Sequence, residues 1–344
     1  MAAPVNNSAW LQWMTTLMGG VSRQNYAATF PPDRFYCLLD DLPLHLVPRW
    51  SRTPFRLRND QPLLMNPECL IRDADELPDE VSSPQNLAGF ALQGAIAWVR
   101  EAGSRNLLPF WLGPELADKL HGLKAGEAVP STLGNHERAL LHGSGILINE
   151  DDAAARSQET ERIDAAAHLF QTKGYAPLRG LIHPFHVAAL RRYYRYLIRA
   201  GAIPLGDGQS PLRYAAYNEP VARFFHRHLA KKISALAGES LQPSYVYLAS
   251  YLSGAELKKH TDRKQCEFSV TLCLDFSPEP ELASPWPIQL DPPTGTVKVY
   301  QALGDGLAYR GTRLPHYRDV LGKGQTSTSI FFHYVSADFA GSLG

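Results

Sequence analysis

The sequence predicts an α+β fold in which a mainly helical N-terminal region precedes a β domain supported by helices. Before about residue 240, apolar residues recur at helical spacing between Gly and Pro breaks, and five short runs of β-type residues follow. The predicted strands are Tyr245–Tyr251, Phe268–Leu274, Val297–Tyr300, Gly306–Tyr309 and Ser327–Tyr334. Short strands separated by Gly, Pro and Asp turns are typical of closed or double-layered β folds of the jelly-roll kind.

Size and composition are those of an ordinary globular protein with two domains. The chain has 344 residues, which is long for one domain, and it is 44% hydrophobic and 20% charged. Residues 149–161 are acidic, rich in Ala and without apolar periodicity, so we place a linker there. The predicted units are therefore an N-terminal region over 1–150 and a second domain over 162–344.

Composition argues against several classes of partner. Lys and Arg together number 34, as do Asp and Glu, so the bulk charge does not indicate nucleic-acid binding. No apolar run approaches the roughly 20 residues that a membrane span needs, and we see no secretory signal pattern. The four scattered cysteines are expected to be buried free thiols. We expect a cytoplasmic protein that binds neither nucleic acid nor membrane, and its oligomeric state stays open.

The N-terminal region is predicted to contain three helices and a strand. Apolar residues over Leu87–Arg100 predict a helix that Gly103 ends, Pro114 begins a second, and His136–His142 forms a third before the strand Ile146–Ile148. The last two helices and the strand faintly resemble the winged modules that hold leader peptides in some bacterial peptide-modifying systems. A cap on the following domain is the favoured interpretation, with peptide recognition as the alternative.

Two longer helices are predicted to precede the strands. The first begins at Pro184 and carries an apolar stripe, with Arg191 and Arg195 among the arginines expected to face solvent. The second begins at Asn218-Glu219-Pro220, where Asn caps the helix and Pro suits its first turn, and it ends at Gly238. These two helices are expected to support one sheet of the β domain.

Two histidines and one carboxylate in the β domain suggest a metal site. His260 and Asp262 are two residues apart, so they point the same way if the segment is extended. His316 would come from a different strand and complete a 2-His-1-carboxylate set, the ligand set of many non-haem iron sites. Three ligands on one face leave several positions open, which suits O2-activating iron better than zinc.

With the motifs around it, this pattern resembles the 2-oxoglutarate/Fe(II)-dependent oxygenases, specifically the prolyl-4-hydroxylase-like branch. The resemblance spans roughly residues 165–335. Besides His260-Thr261-Asp262 and His316, its carriers are Gly174-Tyr175, Tyr251-Leu252-Ser253-Gly254, Gly304-Asp305-Gly306 and Tyr309-Arg310-Gly311. The resemblance implies a double-stranded β-helix, and it implies that His260, Asp262 and His316 bind Fe(II).

The resemblance also implies an activity. The family uses 2-oxoglutarate and O2 as cosubstrates, releases succinate and CO2, and attacks an unactivated C–H bond. Substrates in this branch are amino-acid side chains in peptides and proteins, and small molecules. The presence of Asp262 favours hydroxylation over halogenation, because halogenating relatives lose that carboxylate to make room for a halide.

One departure from the family pattern concerns the distal carboxylate of 2-oxoglutarate. The family commonly binds this group with an Arg or Lys about ten residues beyond the second His, where this sequence has Thr326. Arg318, on the same face as His316 if the strand is extended, is the first candidate, unless it pairs with Asp319 or Glu267. The other candidates are Lys323, Arg310, Thr328, Ser329 and the family-matching Tyr251.

Two alternatives stay open at this point. One is a non-catalytic, metal-stabilised β domain that binds a peptide or protein, an interpretation that Thr326 motivates. The other keeps an enzyme but replaces iron by zinc or manganese. Finally, His333 within the last predicted strand is interpreted as a packed core histidine and not as a fourth ligand.

Overall fold

The structure is a computed structural model, and it describes most of the chain. The described residues are 30–42, 62–81, 87–101, 104–149 and 151–344. Within them the protein is a mixture of helix and sheet, in which sheet predominates and five α-helices are present. All four cysteines are free and buried, as expected. Among the described residues, no helix is both long enough and apolar enough to cross a membrane.

The described part of the N-terminal region contains two small sheets and two short helices. Its strands are β1 (Leu64–Met65), β2 (Cys69–Asp73), β3 (Ala95–Arg100), β4 (Leu107–Leu112) and β5 (Leu147–Ile148). Its helices are α1 (Pro114–Leu120) and α2 (Asn135–Gly143). Strands β2, β3 and β4 form one antiparallel sheet, and β1 pairs with β5.

The helix predicted over Leu87–Arg100 is wrong, because Ala95–Arg100 is the central strand β3. Four successive residues of β3 are buried, so the strand is apolar on both faces and its sequence does not alternate. A short apolar run of this kind does not distinguish a strand from a buried helix. The mainly helical character predicted for this region is therefore not confirmed.

A long helix, α3 (Asp151–Lys173), occupies the place of the predicted linker. Residues 151–162 are rich in Ala, Glu, Gln and Arg, which favour helix even without an apolar stripe. The C-terminal half of α3 reaches buried Phe170 and leads into the β domain. The segment 149–161 is thus regular structure and not an irregular connection.

The β domain consists of two antiparallel sheets. The larger contains, in spatial order, β6 (Tyr175–Leu178), β13 (Gly306–Tyr309), β10 (Phe268–Ser277), β15 (Thr326–Ser336), β8 (Leu241–Tyr251) and β7 (Arg213–Tyr217). The smaller contains β12 (Val297–Val299), β11 (Ile288–Leu290), β14 (His316–Arg318) and β9 (Leu257–His260). All five predicted strands are present.

Side-chain alternation along the larger sheet creates two packed layers. On β10, Phe268, Val270 and Leu272 belong to the main core, together with residues of α4 (Pro184–Arg199) and α5 (Pro220–Ala237). On the other face, Leu307 of β13 packs with Ile288 of the smaller sheet. Because strand residues alternate between faces, the helices cover one side of the larger sheet and the smaller sheet faces the other.

One continuous core joins the N-terminal region to the helices. Phe35 makes edge contacts with Phe90, Trp111 and Phe225, at ring-centroid distances of 5.0, 6.2 and 5.9 Å. Arg191 of α4 also contributes, contrary to the expectation that it faces solvent, whereas Arg195 is exposed as expected. Arg191 is 7% exposed, and its Nε donates to Asp275 of β10 at 2.9 Å. These contacts attach the helical layer to the larger sheet of the β domain.

Candidate metal centre

Strand pairing brings the three predicted metal ligands together. His260 ends β9 and His316 begins β14, and the two residues are direct partners in the antiparallel pair. Asp262 lies two residues beyond β9, where its backbone N–H donates to the carbonyl of Gly311 at 2.9 Å. One ligand atom from each of the three side chains lies within 4.8 Å of the others. We call His260, Asp262 and His316 the triad.

The two imidazoles of the triad are oriented by their own backbone. Nδ1 of His260 donates to the carbonyl of Lys258 at 2.7 Å, and Nδ1 of His316 donates to the carbonyl of Leu314 at 3.0 Å. Each Nε2 then faces Asp262 Oδ1, at 3.6 Å for His260 and 3.5 Å for His316. A hydrogen bond at one ring nitrogen fixes the tautomer and leaves the other nitrogen available to a metal ion. The arrangement is therefore suited to holding one divalent ion.

Electrostatics also favour an ionised carboxylate in the triad. Burial alone would raise the pKa of Asp262, but the close imidazoles of His260 and His316 hold that pKa well below its usual range. The same contact with Asp262 raises the pKa of His260. The triad thus places one carboxylate charge opposite two imidazole nitrogens that can bind a metal ion. A divalent cation would neutralise that charge.

A hydrogen-bond chain supports the outer oxygen of Asp262. Ser269 Oγ donates to Asp262 Oδ2 at 2.7 Å and lies 3.0 Å from Nδ1 of His333. Because Ser269 gives its one proton to Asp262, Nδ1 of His333 must be the donor in the second contact. His333 is thus a buried histidine, as expected, and it also fixes the position of a triad carboxylate through Ser269.

Gly311 makes room for this carboxylate. A Cβ atom at this position would lie under 3.0 Å from Asp262 Oδ2, from Ser269 Oγ and from the carbonyl oxygen of Cys266. The family-like Tyr309-Arg310-Gly311 segment thus has a steric reason for its glycine. An added methyl group would displace Asp262 from the two histidines.

Substitution Gly311→Ala is therefore expected to weaken metal binding by at least about 10-fold, as is typical when groups that orient a ligand are lost. Isothermal titration of the apoprotein with Co²⁺ measures this directly. Gly134→Ala is the matched control, because its Cβ would meet Glu137 Oε2 at an ordinary 3.7 Å. Equal Co²⁺ affinity in Gly311→Ala and the unmodified protein would contradict this steric account of Asp262.

The triad lies in the wall of a cavity of about 1000 Å³. His316 is deep in this wall, with 2% of its side chain exposed, whereas 37% of the His260 side chain is exposed. The cavity is rich in aromatic side chains, which are Tyr217, Tyr245, Tyr247, Tyr251, Tyr309 and Phe331. It is large enough for a substrate beside a metal-bound cosubstrate.

The residues predicted to bind the cosubstrate lie in different places relative to the cavity. Tyr251 lines the cavity with the triad. Thr328 donates to Ser250 Oγ at 2.8 Å, and its strand neighbours Ser327 and Ser329 alternate with it. Since Phe331 and His333 of the same strand line the cavity, alternation places Thr328 on the opposite, helix-facing side. Arg310 lies over the rings of Phe170 and Phe268.

Arg318 is buried, does not line the cavity that contains the triad, and has no acidic partner among the described residues. Its guanidinium donates to the carbonyl of Trp286 at 2.6 Å, makes a long contact of 3.4 Å to Gln301 Oε1, and leaves Nε without a hydrogen bond. It lies 4.7 Å from the centroid of the Trp286 ring, which contacts the ring of Tyr251. The pairing with Asp319 or Glu267 that sequence reasoning allowed is not present in this part of the chain.

Sequence reasoning missed a second arginine in the cavity wall. Arg213 begins β7 and pairs with Tyr251 of β8, so the sheet brings it to the cavity. Its Nε donates to Asp207 at 2.6 Å, and its charge is therefore compensated. Nothing in the local sequence Ser210-Pro211-Leu212-Arg213 distinguishes it from a surface arginine. Its position follows only from strand pairing.

Comparison with known proteins gives structural neighbours but no sequence relatives. No family model matches the sequence, and no curated protein matches it. Solved structures that resemble the fold include the non-haem α-ketoglutarate-dependent epimerase SnoN from nogalamycin biosynthesis. That match has a TM-score of 0.44 and 14% sequence identity, and it covers 52% of this chain and 84% of that chain. The similar structures also include AviO1 from Streptomyces viridochromogenes Tue57, with a TM-score of 0.43, 20% identity, and coverage of 52% and 97%.

A prolyl-4-hydroxylase from Pseudomonas putida is a third such structure, with a TM-score of 0.41 and 15% identity, and the match covers 50% of this chain and 98% of that chain. These matches reach about half of the present chain.

Proposed function

We propose that this protein is an Fe(II)- and 2-oxoglutarate-dependent dioxygenase. The reaction we propose is hydroxylation of an unactivated C–H bond of an amino-acid side chain, in a peptide, a protein or a small molecule, with release of succinate and CO2. The observation that carries this proposal is the triad, in which two oriented imidazoles and one ionised carboxylate meet in the wall of an open cavity. Two histidines and one carboxylate with open positions are typical of non-haem Fe(II) oxygenases.

The order of the strands supports a double-stranded β-helix for residues 162–344. From β8 to β11, successive strands alternate between the larger and the smaller sheet, and β13, β14 and β15 alternate again. In such a fold the open end of the two facing sheets gathers side chains from several strands. In this way His260 and Asp262, at and just beyond the end of β9, meet His316 at the start of β14. For the N-terminal region we keep the proposal of a cap.

The residues present fit an iron ion. His260 and His316 would bind it through Nε2 and Asp262 through Oδ1, because these atoms face one another. When bound, iron supplies a site at which 2-oxoglutarate and O2 react. Ser269 holds the outer oxygen of Asp262 throughout.

The residues around the triad can also hold a dicarboxylic acid. Arg318 is a buried cation with an unpaired Nε and no acidic partner in the described residues, so an anion would complete its environment. We propose that Arg318 binds the distal carboxylate of 2-oxoglutarate. It would do the work of the Arg or Lys that the family has at the position of Thr326. The ring of Trp286 contacts both this guanidinium and the ring of Tyr251, which lines the cavity and can donate a hydrogen bond from its hydroxyl group. The aromatic walls then exclude water from the substrate.

The direct test is turnover in the presence of Fe(II), 2-oxoglutarate and O2. We expect succinate to form only when O2 is present, and we expect His260→Ala to remove this activity. Mass spectrometry of co-expressed neighbouring peptides and of free amino acids, scored for the gain of one oxygen atom, identifies the substrate. If His260→Ala forms succinate at the rate of the unmodified protein, the assignment of the site is wrong.

A further inference from the structure

A second group of metal-binding side chains overlaps the triad. Among the described residues, one ligand atom each from Asp262, Cys266 and His333 also lies within 4.8 Å of the others. Cys266 ends the short 3-10 turn Lys264–Cys266, which lies between β9 and β10, and His333 lies on β15. All three residues line the same cavity as the triad. An ion that enters the cavity therefore meets two donor groups that share one carboxylate.

The two groups differ in the metal that they favour. The triad offers nitrogen and oxygen donors, whereas the second group replaces one imidazole by a sulfur atom. Thiolate ligands favour Zn²⁺ and other soft ions, and a common zinc arrangement has three protein ligands and one water. The cavity on which these side chains open can provide that water.

Internal contacts position the second group, since Asp262 and His333 both contact Ser269 and Cys266 contacts Tyr245. Cys266 Sγ contacts the hydroxyl group of Tyr245 at 2.9 Å, which is a weak interaction for a thiol. A metal ion binds the thiolate form of cysteine, so Cys266 must release its proton when an ion binds.

We propose that Asp262, Cys266 and His333 form a second metal site that binds a thiophilic divalent cation such as Zn²⁺. Asp262 belongs to both groups, with Oδ1 facing His260 and His316 and Oδ2 facing Ser269, so the two sites share one carboxylate. The second site itself does not depend on the reaction proposed above, since it requires only these three side chains and the cavity.

Cobalt is a suitable probe for the second site, because Co²⁺ bound to a thiolate shows a sulfur-to-metal charge-transfer absorption in the near ultraviolet. We expect this absorption when Co²⁺ is added to apoprotein carrying His316→Ala, in which the triad is incomplete. We expect it to disappear when Cys266→Ser is added. Cys273→Ser is the matched control and should retain the absorption, because Cys273 is equally buried but belongs to neither group.

Zinc X-ray absorption spectroscopy of the unmodified, zinc-loaded apoprotein tests for a sulfur ligand without any variant. One sulfur atom among the zinc ligands is the expected result. A zinc ion with only nitrogen and oxygen ligands would overturn the proposal, and so would a cobalt absorption that survives Cys266→Ser in protein with an unchanged melting temperature. Neither outcome bears on succinate formation, so failure of the second site is distinguishable from failure of the proposed oxygenase activity.

Discussion

Replacement of Asp262 by Ala is expected to abolish iron binding and to lower succinate formation by at least about 100-fold. Loss of groups that merely orient a metal ligand commonly costs 10- to 100-fold in affinity or activity, and a direct ligand should cost more. In this protein Asp262 is also the charged member of the triad, facing both His260 and His316. Its removal leaves the two imidazoles without the anion that balances a divalent cation.

The measurement is Fe(II) stoichiometry after anaerobic reconstitution, together with the rate of succinate formation. His168→Ala is the control, because His168 is an exposed residue of α3 far along the chain from the triad. It should bind one iron ion and turn over as the unmodified protein does. An Asp262→Ala protein that binds one Fe(II) ion with unchanged affinity would contradict the role of the triad.

Arg318→Met is expected to weaken 2-oxoglutarate binding by about 10- to 100-fold while iron binding is retained. Hydrogen bonds to a charged group contribute about 1.5–3 kcal/mol, and each 1.4 kcal/mol corresponds to a factor of ten in affinity. Burial lowers the pKa of the Arg318 guanidinium, and no acidic side chain of the described residues compensates its charge. Such a group is costly to bury unless an anion joins it.

The cost of burying the charge of Arg318 distinguishes a role in cosubstrate binding from a role in stabilising the fold. If Arg318 serves the cosubstrate, its replacement by an apolar side chain of similar volume should leave the melting temperature unchanged or raise it. Arg191→Met is the matched control, because Arg191 is also buried but forms ion pairs with Asp275 and Glu279. That variant should lose stability and keep its affinity for 2-oxoglutarate. The KM for 2-oxoglutarate and thermal unfolding of both proteins test the distinction, and an unchanged KM in Arg318→Met would exclude the proposed role.

Much of the candidate site was predictable from sequence because its chemistry is local. His260-Thr261-Asp262 places two ligands within three residues, and His316 was expected on a different strand, although neither β9 nor β14 was among the predicted strands. The structure pairs His260 directly with His316. The helices that begin at Pro184 and Pro220 were also predictable, since Pro in the first turn is a local signal. The cap of the second helix was predicted wrongly: Glu219 accepts from the N–H of Ala222, whereas Asn218 accepts from the N–H of Val246 on β8.

Contacts between residues distant in sequence were not predictable in the same way. Arg191 has the composition of a solvated helix face, and its burial depends on Asp275, 84 residues away. Arg213 reaches the cavity only because β7 pairs with β8. The same limit applies to β3, whose apolar run fits a buried helix as well as a strand until its partners β2 and β4 are known.

Titration of 2-oxoglutarate into the anaerobic Fe(II) protein tests the central claim most directly, since it requires the triad to hold iron and the surrounding residues to hold the cosubstrate. We expect a weak metal-to-ligand charge-transfer band in the visible region that saturates with one equivalent of bound 2-oxoglutarate. Arg318→Met should show the same band at a higher 2-oxoglutarate concentration. Absence of the band in the unmodified, iron-loaded protein at millimolar 2-oxoglutarate would contradict the account and favour a non-catalytic, metal-stabilised binding domain.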